Sequence, residues 1–110
     1  MKIGFDLGGS LSEHEWLRRM AGYIYHWTDH EVHIITLIED GEQQVTIDRL
    51  KDLKVTYNDI HFCIANGMPM TERAQLKVGV MKRHRIEILF DDVEKIVNVI
   101  NENGMVGILV

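Results

Sequence analysis

The stretch Lys2-Ile3-Gly4-Phe5-Asp6-Leu7-Gly8-Gly9-Ser10-Leu11 decides how the rest of the chain is read, because a short apolar run ends there in one carboxylate, two glycines and a hydroxyl. The run predicts a strand that delivers Asp6 to a tight loop. Gly8 and Gly9 have no Cβ, so the backbone can turn sharply and bring its N–H groups against an anion such as phosphate. In an open α/β sheet the C-terminal edge of a strand is also where ligands bind. A solvated strand-to-helix turn would use the same residues, and short Gly-rich motifs occur by chance. The surrounding sequence has to separate the two.

Outward from that stretch, Ser12 with Glu15 three residues later has the form of a capping box. Trp16, Leu17, Met20, Ile24 and Trp27 recur at helical spacing and predict a helix to about Trp27 with one apolar stripe. Val32 to Ile38 is short, β-branched and apolar, a second and well-buried strand that Asp40-Gly41 ends. Ile47, Leu50 and Leu53 mark a weaker helix between Gln43 and Leu53, and Asp59 to Ala65 is a third strand. Asn66-Gly67 and Pro69 form a loop, after which Thr71 caps a helix with Ala74, Val78 and Met81 on one face and Lys77 beside them. Arg85 to Phe90 is a fourth strand ending in Asp91-Asp92. Val93, Ile96, Val97 and Ile100 form a last helix closed by Gly104, and Val106 to Val110 is a fifth strand. Near-continuous apolar strands alternating with helices predict an α/β three-layer sandwich, a central parallel sheet of about five strands with helices on both faces.

The 110 residues suffice for one compact domain, 1–110, and not for two. With 12 Lys and Arg against 17 Asp and Glu, the net charge of −5 gives no sequence-wide reason to expect nucleic acid or an anionic membrane as partner. An acidic chain that handles phosphate needs local help from a cation or a lysine. The lone Cys63 forbids an internal disulfide and, within Ile60-His61-Phe62-Cys63-Ile64-Ala65, reads as a buried hydrophobe. Neither a signal peptide nor a membrane span is recognisable, so a cytoplasmic location is expected.

Asp6, Thr36, Lys77 and Asp91-Asp92 fall at or just after the C-terminal ends of successive strands, which in a parallel sheet share one edge. Carboxylates from two strands would make an oxygen-rich site suited to Mg²⁺, and a hydroxyl and a lysine suit phosphate oxygens. Singly, each has a plainer account: Thr36 as a strand former, Lys77 as a solvated helix residue, the acidic pair as complement to the positive end of the following helix. Their joint order carries the argument.

That order resembles the haloacid dehalogenase-like (HAD) superfamily of phosphohydrolases, whose members begin with a strand ending in a nucleophilic aspartate. A threonine or serine follows the second strand, then a lysine, then an apolar strand ending in an acidic pair. The matching residues are Asp6, Thr36, Lys77 and Asp91-Asp92, over essentially the whole chain. The resemblance implies a Rossmann-like, capless member acting on a phosphorylated substrate of unknown size. Asp6 would attack the phosphoryl group and form an aspartyl phosphate. Mg²⁺ would be held by Asp6, the Gly8 carbonyl and Asp91 or Asp92, while Ser10, Thr36 and Lys77 steady the phosphoryl oxygens. One departure stands out: phosphatases of the superfamily usually carry a second aspartate two residues after the nucleophile, and that position is Gly8. General acid–base help is typically worth ~10²–10⁴ in rate, so the resemblance implies a slow hydrolase or a pocket kept only for phosphate- and metal-dependent binding. His14, a few residues on, is the nearest substitute acid, although a surface histidine in a first helical turn is more often without a role.

Three other readings fit less well. Asp6 to Ser10 also resembles the phosphate loop of sugar kinases and actin-like ATPases, but there an antiparallel strand follows, not a helix. A two-component receiver domain has its paired acids in the first half and its lysine last, the reverse of this order. His26, His30 and His33 have a spacing that invites zinc, yet His33 lies beyond the helix in the next strand, and the three read as chance histidines. Lys82-Arg83-His84-Arg85 reads as a solvated helix C-terminus.

Overall fold

A computed structural model describes the whole chain, Met1–Val110. The strands are β1 (Lys2–Phe5), β2 (Glu31–Ile38), β3 (Asp59–Ile64), β4 (Ile86–Asp91) and β5 (Val106–Leu109). They form one five-stranded sheet in the order β3-β2-β1-β4-β5, every pair parallel. Between them run α1 (Glu15–Trp27), α2 (Gln43–Asp52), α3 (Met70–His84) and α4 (Glu94–Glu102). The expected α/β sandwich is therefore the observed one. No helix is long and apolar enough to cross a membrane.

The sheet separates two apolar cores, as a sheet with both faces covered must. One holds Phe5, Ile34, Leu17, Ala21 and Leu50, so α1 and α2 cover that face. The other holds Ile35, Cys63, Leu89, Val78, Met81, Ile96 and Ile100, which puts α3 and α4 opposite. Alternation along a strand then assigns each polar residue a side. Ile3 and Phe5 face α1, so Asp6, one residue beyond Phe5, falls to the α3 side.

The order also sets where a ligand can enter. From β1 the chain winds outward through β2 to β3, then returns to place β4 on the other flank of β1. Loops leaving β1 and β4 run to opposite faces, and a crevice opens between them at the C-terminal edge. The join is tight: Asp6 N–H donates to the Phe90 carbonyl at 2.9 Å, and the rings of Phe5 and Phe90 stack 5.1 Å apart.

Three local expectations are corrected. Trp16 and Trp27 are 53% and 77% exposed, so the α1 core stripe is Leu17, Met20, Ala21 and Ile24 and the tryptophans lie off it. Helix α1 starts at Glu15 without a side-chain cap, because the Ser12 hydroxyl instead accepts the Gly9 N–H at 3.0 Å. Helix α3 starts at Met70 after Pro69, which leaves Thr71 inside the first turn rather than at its cap.

Candidate functional site

After β1 the backbone makes a wide turn: Leu11 N–H donates to the Asp6 carbonyl at 3.2 Å and Ser12 N–H to the Leu7 carbonyl at 3.0 Å, both five residues back. Gly9 makes the turn feasible. Its φ of +76° lies in the left-handed region, and a Cβ there would stand 2.1 Å from an Asp92 carboxylate oxygen. A glycine near the N-terminus is thus the seat of a carboxylate from the far end of the chain.

The turn and the end of β4 bring together the residues that the sequence had spaced apart. Lys77, 1% exposed, reaches from α3 to lie between two carboxylates, its Nζ 2.7 Å from Asp6 Oδ1 and 2.6 Å from Asp91 Oδ2. Asp91 Oδ1 accepts the Val93 N–H at 3.0 Å. Ser10 Oγ lies 3.0 Å from Asp6 Oδ2 and 3.3 Å from Asp92 Oδ1. Carboxylate oxygens of Asp6, Asp91 and Asp92 all lie within 4.8 Å of one another.

Charge is unbalanced here. Three carboxylates face one ammonium, and the single hydroxyl proton of Ser10 is shared between two of them. Burial, opposed by Lys77 and reinforced by Asp91 and Asp92, pushes the Asp6 carboxyl from 3.8 up to about 7. For Lys77, burial works against the charged form, but the charges of Asp6 and Asp91 outweigh it and the net shift is upward. A cluster of hard oxygen donors with an excess of negative charge has the chemistry that a small divalent cation such as Mg²⁺ requires.

Above the cluster lies a cleft of about 310 Å³. Asp6, Gly8, Thr36, Lys77, Asp91 and Asp92 all line it, so six of the seven expected site residues meet at one place. Ser10 is the exception. It is wholly buried and its hydroxyl is engaged by Asp6 and Asp92, so it orients carboxylates and is not placed to hold a phosphoryl oxygen. The Gly9 N–H, expected to face an anion, is taken by Ser12. Lys77, expected beside the apolar stripe of α3, is at its centre.

The cleft is also lined by two cations that the sequence does not single out, Arg49 on α2 and Arg73 on α3, one from each face of the sheet. Arg73 Nε donates to the Met68 carbonyl at 2.8 Å, which steadies the guanidinium and leaves its terminal nitrogens for another acceptor. Isolated arginines on polar helix faces carry no signal in a single sequence. The basic run at the end of α3 stays away from the cleft, with Lys82, Arg83 and Arg85 exposed. Cys63 is buried and unpaired, and burial raises its thiol, as suits a packing residue. No protein-family model, curated protein or solved structure matches this chain.

Proposed function

We propose that the protein is a HAD-like, Mg²⁺-dependent phosphohydrolase with Asp6 as nucleophile, working in the cytoplasm on an anionic phosphorylated substrate. The observation that carries this is the Lys77 ammonium held 2.7 Å and 2.6 Å from Asp6 and Asp91, at the floor of a cleft that both carboxylates line. Phosphoryl transfer asks little of a protein beyond positioning and neutralising charge, and this floor does both.

Within that reading, the wide turn after β1 holds the Asp6 carboxylate at the mouth of the β1–β4 crevice. Lys77 binds one Asp6 oxygen and Ser10 orients the other, so the carboxylate is fixed before substrate arrives. A third N–H of Lys77 and the Thr36 hydroxyl are left for phosphoryl oxygens. Asp6, Asp92, Asp91 and the Gly8 carbonyl are the groups to hold Mg²⁺, which when bound neutralises the phosphate and the excess carboxylate charge. Asp6 attacks phosphorus, the ester oxygen leaves, and water then cleaves the acyl phosphate on Asp6. Nothing at Gly8 can protonate the leaving group, so esters of acidic alcohols are favoured over alkyl phosphates. Arg49 and Arg73 suit a substrate with a second anionic group, since guanidinium pairs bidentately with carboxylate or phosphate.

The vacant acid position at Gly8 also favours a second reading, a binding domain that retains the pocket without turnover. Hydrolysis of p-nitrophenyl phosphate separates the two, because its leaving group needs little protonation. Mg²⁺-dependent turnover that disappears in Asp6→Asn supports the enzyme. No turnover, with Mg²⁺-dependent binding of vanadate or beryllofluoride, supports the binding domain, and neither activity nor binding refutes both.

A further inference from the structure

The opposite end of the sheet carries a second cluster. In the parallel register of β2 and β3, His33 pairs with Asp59 and Ile35 with His61, so His33, Asp59 and His61 project from the same face, the one covered by α3. His33 and His61 are 3% and 9% exposed, while Asp59, at the start of β3, reaches solvent. His33 Nδ1 lies 3.0 Å from His61 Nε2, and His33 Nε2 lies 2.9 Å from Glu31 Oε1. Two buried imidazoles with their nitrogens face to face have room for one hydrogen between them. With Glu31 accepting from His33 Nε2–H, the His33 Nδ1 lone pair points at His61. Imidazole oriented by a carboxylate on its far nitrogen is the arrangement that readies histidine for a metal.

One nitrogen each from His33 and His61 and one carboxylate oxygen of Asp59 lie within 4.8 Å of one another. A tetrahedral ion with bonds of about 2.0–2.2 Å holds its donors about 3.3–3.6 Å apart. The nitrogens must therefore separate by a few tenths of an ångström, and the two rings, coplanar and head to head with centroids 5.3 Å apart, must swing so that both lone pairs converge on the ion. Nothing in the cleft chemistry calls on these residues, which sit at the N-terminal edge of the strands. Two imidazoles with one carboxylate suit a borderline transition ion, whereas Mg²⁺ prefers the all-oxygen cleft.

We propose that His33, His61 and Asp59 form a second metal site that takes a divalent transition ion, Zn²⁺ for choice, and ties β2 to β3 at the edge away from the cleft. The fourth position faces solvent past Asp59 and is filled by water. His61 changes tautomer on binding, its proton moving from Nε2 to Nδ1, so a neutral pair needs no net proton release. Glu31 holds the His33 ring, and the His84 ring, 4.1 Å from that of His61, backs the other side.

Equilibrium dialysis against Zn²⁺, with visible spectra of the Co²⁺-loaded protein, tests the site. The expected result is one tetrahedral Co²⁺ site per chain, from which Zn²⁺ displaces Co²⁺ with low-micromolar or tighter affinity, retained in Asp92→Asn; an ion on the all-oxygen cleft gives the weak octahedral spectrum instead and is counted apart. His33→Ala abolishes the tetrahedral binding. Asp59→Asn, a change at an exposed position that leaves the core untouched, weakens it by about tenfold or more. Absence of a tetrahedral site in the unaltered chain, a tetrahedral spectrum undiminished in His33→Ala and Asp59→Asn, or its loss in Asp92→Asn would each overturn the proposal.

Discussion

Removing the charge of Lys77 without removing its bulk is the sharpest test of the buried cluster. In Lys77→Met the aliphatic stem still packs within α3, but Asp6 and Asp91 lose a partner at 2.7 Å and 2.6 Å. Breaking a buried ion pair by deleting one member typically costs about 3–5 kcal/mol, because the remaining charge stays desolvated. With an unfolding entropy of ~2.1 cal/mol/K per residue, a chain of 110 residues has about 0.23 kcal/mol/K, so Tm should fall by about 13–22 °C. The loss should depend on pH, and the sign follows from Asp6. Its folded pKa of about 7 lies above the unfolded 3.8, so its contribution is complete below the lower value and disappears as pH rises through the upper one. Without Lys77 the carboxyl rises further, so the variant is least impaired near pH 5 and most impaired near pH 8. Differential scanning calorimetry at both pH values, without divalent cation, measures this. Adding Asp91→Asn to Lys77→Met should recover part of the loss by removing one stranded charge. A Tm within a few degrees of the unaltered protein at pH 8, or a loss independent of pH, would refute the account of a desolvated, charge-coupled centre.

Other substitutions probe the turn and the sheet edge. A Cβ at Gly8 meets nothing within 4 Å, so Gly8→Asp should fold normally and raise hydrolysis of alkyl phosphates by up to ~10²-fold, read as kcat/KM on a phosphorylated alcohol. Gly9→Ala combines a left-handed φ with a clash on Asp92, and should lower stability by about 1–3 kcal/mol in urea titration while abolishing Mg²⁺-dependent activity. Arg73→Ala should raise KM for a substrate carrying a second anionic group by about tenfold and leave p-nitrophenyl phosphate turnover near its original value, as loss of one charge-assisted contact predicts. A Cβ at Gly107 would stand 2.8 Å from the Val97 carbonyl oxygen, so Gly107→Ala should loosen β5 against α4 and speed amide exchange in Val106–Leu109 before the rest of the sheet.

The fold was legible because its signals are local and repeat. Apolar strands such as Val32–Ile38 alternate with helices whose stripes, Ala74-Val78-Met81 and Ile96-Ile100, survive into the core on the α3–α4 side of the sheet. The cleft was legible for a different reason: in a parallel sheet a residue just past a strand end has only one edge to go to, so position in the chain stands in for position in space. Asp6, Asp91 and Asp92 obey that rule, whereas Lys77 reaches the edge from within α3. What could not be read was the work of side chains within the edge. Ser10 turned inward to its neighbours' carboxylates because the turn from Leu7 to Leu11 is wider than a tight glycine loop, and Ser12 captured the Gly9 N–H for the same reason.

Strand register is the information a single sequence hides most completely, and the histidines show its effect. His26, His30 and His33 are neighbours in sequence, yet His26 lies within 3.5 Å of Thr56 Oγ1, His30 stands 3.0 Å from the terminal amine, and His33 turns away to His61. Shifting β3 by one residue against β2 would send His61 to the α1 face and dissolve the pair without altering any periodicity. The cleft tolerates such ignorance, since strand ends converge whatever the register. A site between strands does not, so the zinc experiment tests the pairing of β2 with β3 as directly as it tests the chemistry of the three ligands.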